Sequence, residues 1–286
     1  MYKVATTETR MQTAEQIKTI VKEKYGQIAS QRTTGCCGPQ NAQVTSSCCG
    51  SNTDAQVLTP DYSQVDGYYA GADLGLGCGV PTQFADIQAG EVVLDLGSGA
   101  GNDVFVVRSL VGESGKVIGV DMTAEMIARA QENQAKLGYQ NVEFRLGEIE
   151  SLPVKTGEVD VVISNCVLNL VPDKTKAFQE IYRVLKPGGH FCISDIVLRG
   201  ELPEKLKSLA ELYAGCVAGA LQHDEYLHVI REAGFTDMEI HKDHQYILPD
   251  AILTQYLSHE DIELYRHSNT GIFSITVSAR KPATAE

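Results

Sequence analysis

Cysteine is the residue type with the clearest chemical potential in this chain, which contains eight cysteines among 286 residues. Cys78, Cys166 and Cys216 come from three separate segments, each beside glycines, small residues or the end of a predicted strand. Three thiolates that converge on one atom form a soft trigonal site, whereas zinc requires a fourth ligand or a bound water. Trivalent arsenic takes three sulfurs and keeps a lone pair, so this set favours a thiophilic metalloid over zinc.

Four further cysteines form two adjacent pairs, Cys36–Cys37 and Cys48–Cys49, in a polar segment that spans 29–59. Adjacent cysteines lack the C-x₂-C spacing that wraps a tetrahedral zinc ion well. Thiols in a polar loop are better suited to thiol–disulfide exchange. The remaining cysteine, Cys192, lies in a strand-like run and is predicted to be a small buried hydrophobic residue.

The second functional feature of the sequence is a predicted glycine turn. The apolar run Val92–Leu96 has the length of a buried parallel strand, and glycines follow at positions 97, 99 and 101. Asp95 precedes the turn, and Asp121 ends the next strand, where its carboxylate could accept hydrogen bonds from two ribose hydroxyls. The G-x-G-x-G spacing differs from the G-x-G-x-x-G of dinucleotide sites, and a carboxylate suits a cationic ligand. The turn resembles the S-adenosylmethionine site of Rossmann-like methyltransferases.

Two more segments at the same predicted sheet edge complete the expected cofactor site. Glu148 and Ile149 follow the third strand, where a polar and an apolar residue could bind the amino group and the face of adenine; a plain surface turn is the alternative. Asn165 ends the fourth strand. The predicted cofactor contacts are Asp95, Gly97, Ser98, Gly99, Gly101, Asp121, Met122, Glu148, Ile149 and Asn165.

Alternating strands and helices position these residues. Strands are predicted at 92–96, 116–120, 142–146, 159–164 and 189–195, with helices at about 102–111, 123–137 and 173–185. This α/β order predicts a parallel sheet with helices on both faces. An amphipathic helix, 13–28, precedes it as a packing element or a lid. Helices at 202–213, 223–233 and about 250–258 and strands at 238–248 and 272–279 follow it. We expect an N-terminal region 1–60, a methyltransferase domain 61–198 and a substrate-binding region 199–286.

Composition excludes several classes of function. A net charge of −13 without a basic block argues against nucleic-acid binding. The chain has no apolar run of the length of a membrane span and no secretory signal, which predicts a cytoplasmic protein. A hydrophobic content of 43% is enough for an ordinary core, and we expect a monomer.

The cysteine segments together resemble the arsenite S-adenosylmethionine methyltransferases, over about residues 62–282. The residues that carry the resemblance are Gly77-Cys78-Gly79, Val93–Gly99, Ser164–Lys174 and Gly215–Ala220. It implies a Rossmann-like class I fold with a seven-stranded, mostly parallel sheet, and arsenic held by Cys166 and Cys216 with Cys78 as third thiolate. It also implies that an upstream cysteine forms a disulfide with Cys78 during turnover and that thioredoxin or glutathione reduces it. Spacing favours Cys48 or Cys49 over the earlier pair.

Two other functions remain open on the sequence alone. A small-molecule C- or O-methyltransferase of the same fold would make the three cysteines incidental. A non-catalytic thiol-based metalloid sensor would not need the cofactor cradle around Asp95 and Asp121.

Overall fold

A seven-stranded sheet forms the centre of the protein, described here from a computed structural model. The structure describes residues 13–30, 60–202, 217, 219–246, 253–254, 258–268 and 270–283. The sheet order is β3-β2-β1-β4-β5-β7-β6, and β7 runs antiparallel to both of its neighbours, β5 and β6, whereas the other pairs of adjacent strands are parallel. The strands are β1 (Val92–Leu96), β2 (Lys116–Asp121), β3 (Val142–Leu146), β4 (Val159–Asn165), β5 (Leu185–Arg199), β6 (Thr236–Tyr246) and β7 (Gly271–Arg280). The predicted α/β class and mostly parallel sheet are therefore confirmed.

Helices cover both faces of this sheet. They are α1 (Ala14–Ser30), α2 (Asn102–Val111), α3 (Ala124–Leu137), α4 (Lys174–Val184), α5 (His223–Glu232) and α6 (His259–His267). Alternate residues of β1 point to opposite faces: Leu94 packs in one buried cluster with α4 and α5, and Val93 packs in another with α2 and α3. This arrangement explains why β1 is apolar along its length.

The structure corrects several predicted boundaries. β5 begins at Leu185, which pairs with Val159, four residues before the predicted start of the strand at 189. That strand also continues to Arg199, since β7 pairs with it up to Gly271. The predicted helix 202–213 and most of 250–258 lie outside the described residues, and α6 was not predicted.

The first helix lies against the third. The Arg129 guanidinium donates to the Ala29 carbonyl at 3.1 Å, and Gly26 lets α1 approach the Glu125 side chain. Nearer the start of α1, Lys18 reaches Glu148 and Glu150, which follow the carboxyl end of β3. Among the described helices, none combines the length and the apolar character that crossing a membrane would require.

Candidate active site

The glycine turn after β1 forms the floor of a cleft at the carboxyl edge of the sheet. The N–H groups of Gly97 and Ser98 both donate to the Val120 carbonyl, at 2.8 and 3.0 Å, which fixes the turn to β2. Gly97 has a φ of 68°, and a Cβ there would lie 2.5 Å from Val167. Glycine is therefore required at this position by both its backbone angle and its packing. A Cβ at Gly101 would likewise lie 2.9 Å from the Phe105 ring.

Two buried carboxylates, Asp95 and Asp103, and the partly buried Asp121 give the cleft its electrostatic character. Burial is the main cause that raises the pKa of Asp95, of Asp121, and of Asp103 to about 6. Asp121 is oriented by its own turn, because its two oxygens accept the N–H groups of Gly99 at 3.0 Å and Thr123 at 2.8 Å. Desolvated carboxylates become more acidic when a cation arrives, so the cleft suits a positively charged ligand.

The cleft is large enough for a nucleoside-sized ligand and offers unused polar groups. It measures about 1160 Å³ including its open mouth. Ser98 Oγ and Asn102 Oδ1 are buried on its wall, and neither has a hydrogen-bond partner within the described part of the chain. Met122 and Ile149 add apolar surface. Charge, size and unsatisfied polar atoms together fit a cationic nucleoside.

Glu148 lines the same cleft but is engaged by α1. Its carboxylate pairs with Lys18 at 2.8 Å and Lys22 at 3.0 Å, and these contacts lower the pKa of Glu148. Lys18 also reaches Glu150 at 3.1 Å. Helix α1 thus closes one side of the cleft through ion pairs between residues that are far apart in the sequence.

Cys78 lies on a loop whose backbone is held from both sides. Its N–H donates to Asn165 Oδ1 at 3.1 Å, while its carbonyl accepts from Ser274 Oγ at 2.9 Å and from the Tyr246 hydroxyl at 3.3 Å. A Cβ at Gly79 would lie 2.4 Å from Ser194 Oγ. The loop can therefore approach β5 only because glycine follows Cys78.

Cys166 follows β4 directly and belongs to the same buried cluster as Cys78. Its N–H donates to the Ser194 carbonyl at 2.7 Å, and its φ of 62° is left-handed. Val217, the neighbour of Cys216, is part of this cluster, although Cys216 itself lies outside the described residues, as do Cys36, Cys37, Cys48 and Cys49. The structure thus brings Cys78 and Cys166 together, with Cys166 on the wall of the cleft.

Known proteins resemble the chain over this architecture. Residues 87–234 match a protein family described as "Methyltransferase domain". The arsenite methyltransferase of Halobacterium salinarum is 44% identical over 94% of this chain and 68% of its own length. The chain belongs to the arsenite methyltransferase family. By family and fold it is an S-adenosylmethionine-dependent transferase of class I.

Two further relatives define how far this similarity extends. The arsenite methyltransferase of Aquipseudomonas alcaligenes is 40% identical over 74% of this chain and 62% of its own length, so the chain spans less than two thirds of that relative. The crystal structure of an arsenic(III) S-adenosylmethionine methyltransferase from Chlamydomonas reinhardtii superposes with a TM-score of 0.59, at 35% identity, over 80% of this chain and 73% of the other.

Within this member of the arsenite methyltransferase family, Asn165 connects the acidic cleft to the cysteine loop. Its amide, predicted as a cofactor contact, bonds to the backbone of Cys78 and Gly79 and to Asp103 Oδ2 at 3.1 Å. Sequence reasoning missed Asp103 and its partner Tyr62, whose hydroxyl donates to Asp103 Oδ1 at 2.8 Å. The signal for Asp103 was its place in the first turn of α2, directly after the glycine turn.

The described cysteines fall into two environments. Cys192 lies in the core between β4 and β7, away from the Cys78 cluster, and burial raises the pKa of its thiol to about 12. A thiol with that pKa is almost entirely protonated at neutral pH and is inert as a nucleophile or ligand. The prediction of a buried, small hydrophobic Cys192 is confirmed.

Proposed function

We propose that this protein transfers methyl groups from S-adenosylmethionine to trivalent arsenic held by the thiolates of Cys78, Cys166 and Cys216. One observation carries the proposal: Cys78 and Cys166, from distant segments, share a buried cluster with the neighbour of Cys216 at the wall of an acidic cleft. The names of the family members support arsenic as the substrate.

The cofactor would be held by the residues around the glycine turn. A carboxylate offers about four lone-pair sites, so Asp121 keeps acceptor capacity for two ribose hydroxyls beyond its two backbone bonds. Ile149 would cover the adenine face, and Glu148 would accept from the amino group while it remains paired with α1. The remaining proposed contacts are Asp95, Gly97, Ser98, Gly99, Gly101 and Met122. When bound, S-adenosylmethionine supplies an electrophilic methyl group on a positively charged sulfur.

The cysteines would fix the arsenic and exclude water from it. Each thiol that replaces a hydroxyl of arsenite gives its proton to the leaving hydroxide, so three bonds form and three waters leave. Buried neighbours such as Ile196 and Ile272 keep the site apolar. Holding the arsenic lone pair near the methyl group lowers the barrier by positioning, which can contribute about 7–11 kcal/mol in well-oriented reactions.

A dithiol is the proposed reductant within the chain. Each methyl transfer formally oxidises arsenic from +3 to +5. A second cysteine thiol would then attack the arsenic-bound sulfur of Cys78: an S–S bond forms, the As–S bond breaks with its electron pair returning to arsenic, which becomes +3, and the attacking thiol releases its proton. Cys78 is one proposed partner, and Cys48 or Cys49 is the other, with Cys36 and Cys37 as alternatives. Cys49 precedes Tyr62 by 13 residues, a separation that an extended chain spans over roughly 45 Å. Tyr62 in turn lies beside the Cys78 loop. Thioredoxin or glutathione would then reduce the disulfide, and the product would carry one, two or three methyl groups.

The decisive experiment compares arsenic products from wild type and cysteine variants. Purified protein is incubated with arsenite, S-adenosylmethionine and thioredoxin or glutathione, and arsenic species are separated by chromatography with mass detection. We expect methylated arsenicals from wild type and none from Cys166→Ser or Cys216→Ser.

Cys192→Ala is the matched control, because it removes a buried thiol outside the proposed site and should retain product formation. Absence of methylated arsenic from wild type that binds the cofactor would refute the proposal and favour an organic acceptor. Product from both serine variants would refute the thiolate assignment alone.

A further inference from the structure

We propose that Asn165 is a positioning residue for the Cys78 thiol and that Asp103 holds its amide in the required orientation. The inference rests on the proposed function, because it explains how one of the three thiolates is placed. It also reassigns Asn165 from the cofactor to the substrate half of the site.

The acceptor half of the amide holds the Cys78 loop. Asn165 Oδ1 accepts the N–H of Cys78 at 3.1 Å and that of Gly79 at 3.2 Å. The fit is close, since a Cβ at Gly77 would lie 2.7 Å from Asn165 Nδ2. The loop is therefore shaped to lie directly against this side chain.

The donor half fixes which way the amide points. The two hydrogens of Asn165 Nδ2 are shared among three acceptors, namely Asp103 Oδ2 at 3.1 Å, the Gly79 carbonyl at 2.8 Å and the Tyr62 hydroxyl at 2.9 Å. Rotating the amide by half a turn would put its NH₂ group against the N–H groups of Cys78 and Gly79 and its oxygen against the Asp103 carboxylate. The network thus permits a single orientation.

The consequence is a Cys78 backbone that is restrained on both sides. Asn165 holds the N–H side, while Ser274 and Tyr246 hold the carbonyl. Because the Sγ atom is two bonds from this backbone, its place relative to Cys166 depends on these contacts. A carboxylate at position 165 would keep the acceptors, lose the donors and repel Asp103.

Arsenite binding without cofactor tests the inference, because Asp103 and Asn165 also line the cofactor cleft. Bound arsenic is measured by equilibrium dialysis for wild type, Asn165→Ala and Asn165→Asp. We expect about tenfold weaker binding for both variants, since buried donors or acceptors lose their partners. The alkylation rate of the Cys78 thiol, followed by peptide mass spectrometry, should change about fivefold or more, as expected for a lost restraint of similar size.

Asn141→Ala is the matched control. That side chain also bonds to several groups, namely Arg108 and the carbonyls of Gly112 and Gly115, but it lies at the opposite edge of the sheet. We expect it to lower stability without changing arsenite affinity or the alkylation of Cys78.

Exchanging the two partners separates positioning from general destabilisation. In Asp103→Asn/Asn165→Asp an amide again faces a carboxylate, so arsenite binding should recover beyond the sum of the single effects. If Asn165→Ala does not fold, the double-mutant cycle of Asp103→Asn, Asn165→Asp and the double variant decides whether Asn165 acts by positioning. Wild-type arsenite affinity in Asn165→Ala with weakened cofactor binding, or strictly additive effects in the cycle, would overturn the inference. Wild type that binds no arsenite would refute the proposed function, whereas the alkylation rates would still test the positioning.

Discussion

The buried carboxylate of Asp103 should make cofactor affinity depend on pH. Burial raises the pKa of this group to about 6 in the free protein. A bound cation favours the ionised carboxylate, so the pKa falls on binding and a proton is released. About one molecule in eleven carries ionised Asp103 at pH 5 and about ten in eleven at pH 7, by the definition of the pKa. We therefore expect S-adenosylmethionine to bind about tenfold more weakly at pH 5, equivalent to about 1.4 kcal/mol.

Isothermal titration calorimetry between pH 5 and 7 measures this effect. Repeating the titration in two buffers with different ionisation enthalpies gives the number of protons released, which should approach about one half near pH 6. Asp103→Asn removes one of the three cleft carboxylates with a raised pKa and should reduce the dependence. Equal wild-type affinity at both ends of the range, with no proton release, would refute the link between burial, charge and cofactor binding.

Two further perturbations test the elements that surround the site. Lys18→Ala removes the contacts of a largely buried ammonium with Glu148 and Glu150, so amides of α1 should exchange severalfold faster, for a cost of about 1 kcal/mol. Hydrogen-exchange mass spectrometry measures these exchange rates, and unchanged protection of α1 would show that the Lys18 ion pairs do not stabilise the helix. Gly79→Ala would place a Cβ 2.4 Å from Ser194 Oγ and should lower stability by about 1–3 kcal/mol in thermal denaturation. Gly26→Ala, whose Cβ would lie 3.3 Å from the flexible Glu125 carboxylate, is the control, and equal melting temperatures for the two variants would contradict the close approach.

The sequence predicts a strand well where the residues of the strand itself determine its conformation. Val92–Leu96 is a continuous apolar run, and a strand buried on both faces needs little else to be recognised. The length of β5 is different, because its last residues are strand only through pairing with β7, more than 70 residues later. The Lys186–Gly189 segment likewise has the composition of a turn, yet Leu185 pairs with Val159 before it. The composition of a segment reflects its local conformational preference, but pairing with a neighbouring strand determines whether it becomes part of the sheet.

In the candidate site, too, the sequence indicates which residue types are present but not which partners they bond to. A glycine turn flanked by Asp95 and Asp121 predicts a cation-binding cleft, because the relevant residues are close in sequence or at strand ends. The engagement of Glu148 by Lys18 joins residues 130 positions apart, and no local pattern indicates it. Asn165 illustrates the limit most clearly, since the sequence places it at the end of β4 but does not indicate its hydrogen-bond partners.

The backbone at Cys166 gives an independent reason to regard its thiol as functional. A non-glycine residue in the left-handed region costs about 1–2 kcal/mol, and glycine or asparagine would adopt a φ of 62° more readily. The surrounding structure holds cysteine there through the bond from its N–H to the Ser194 carbonyl. A buried cysteine needed only for packing would not require this conformation, as fully buried Cys192 in regular β5 shows. Strain at a side chain that lines the cleft is expected where the direction of that side chain matters more than local stability.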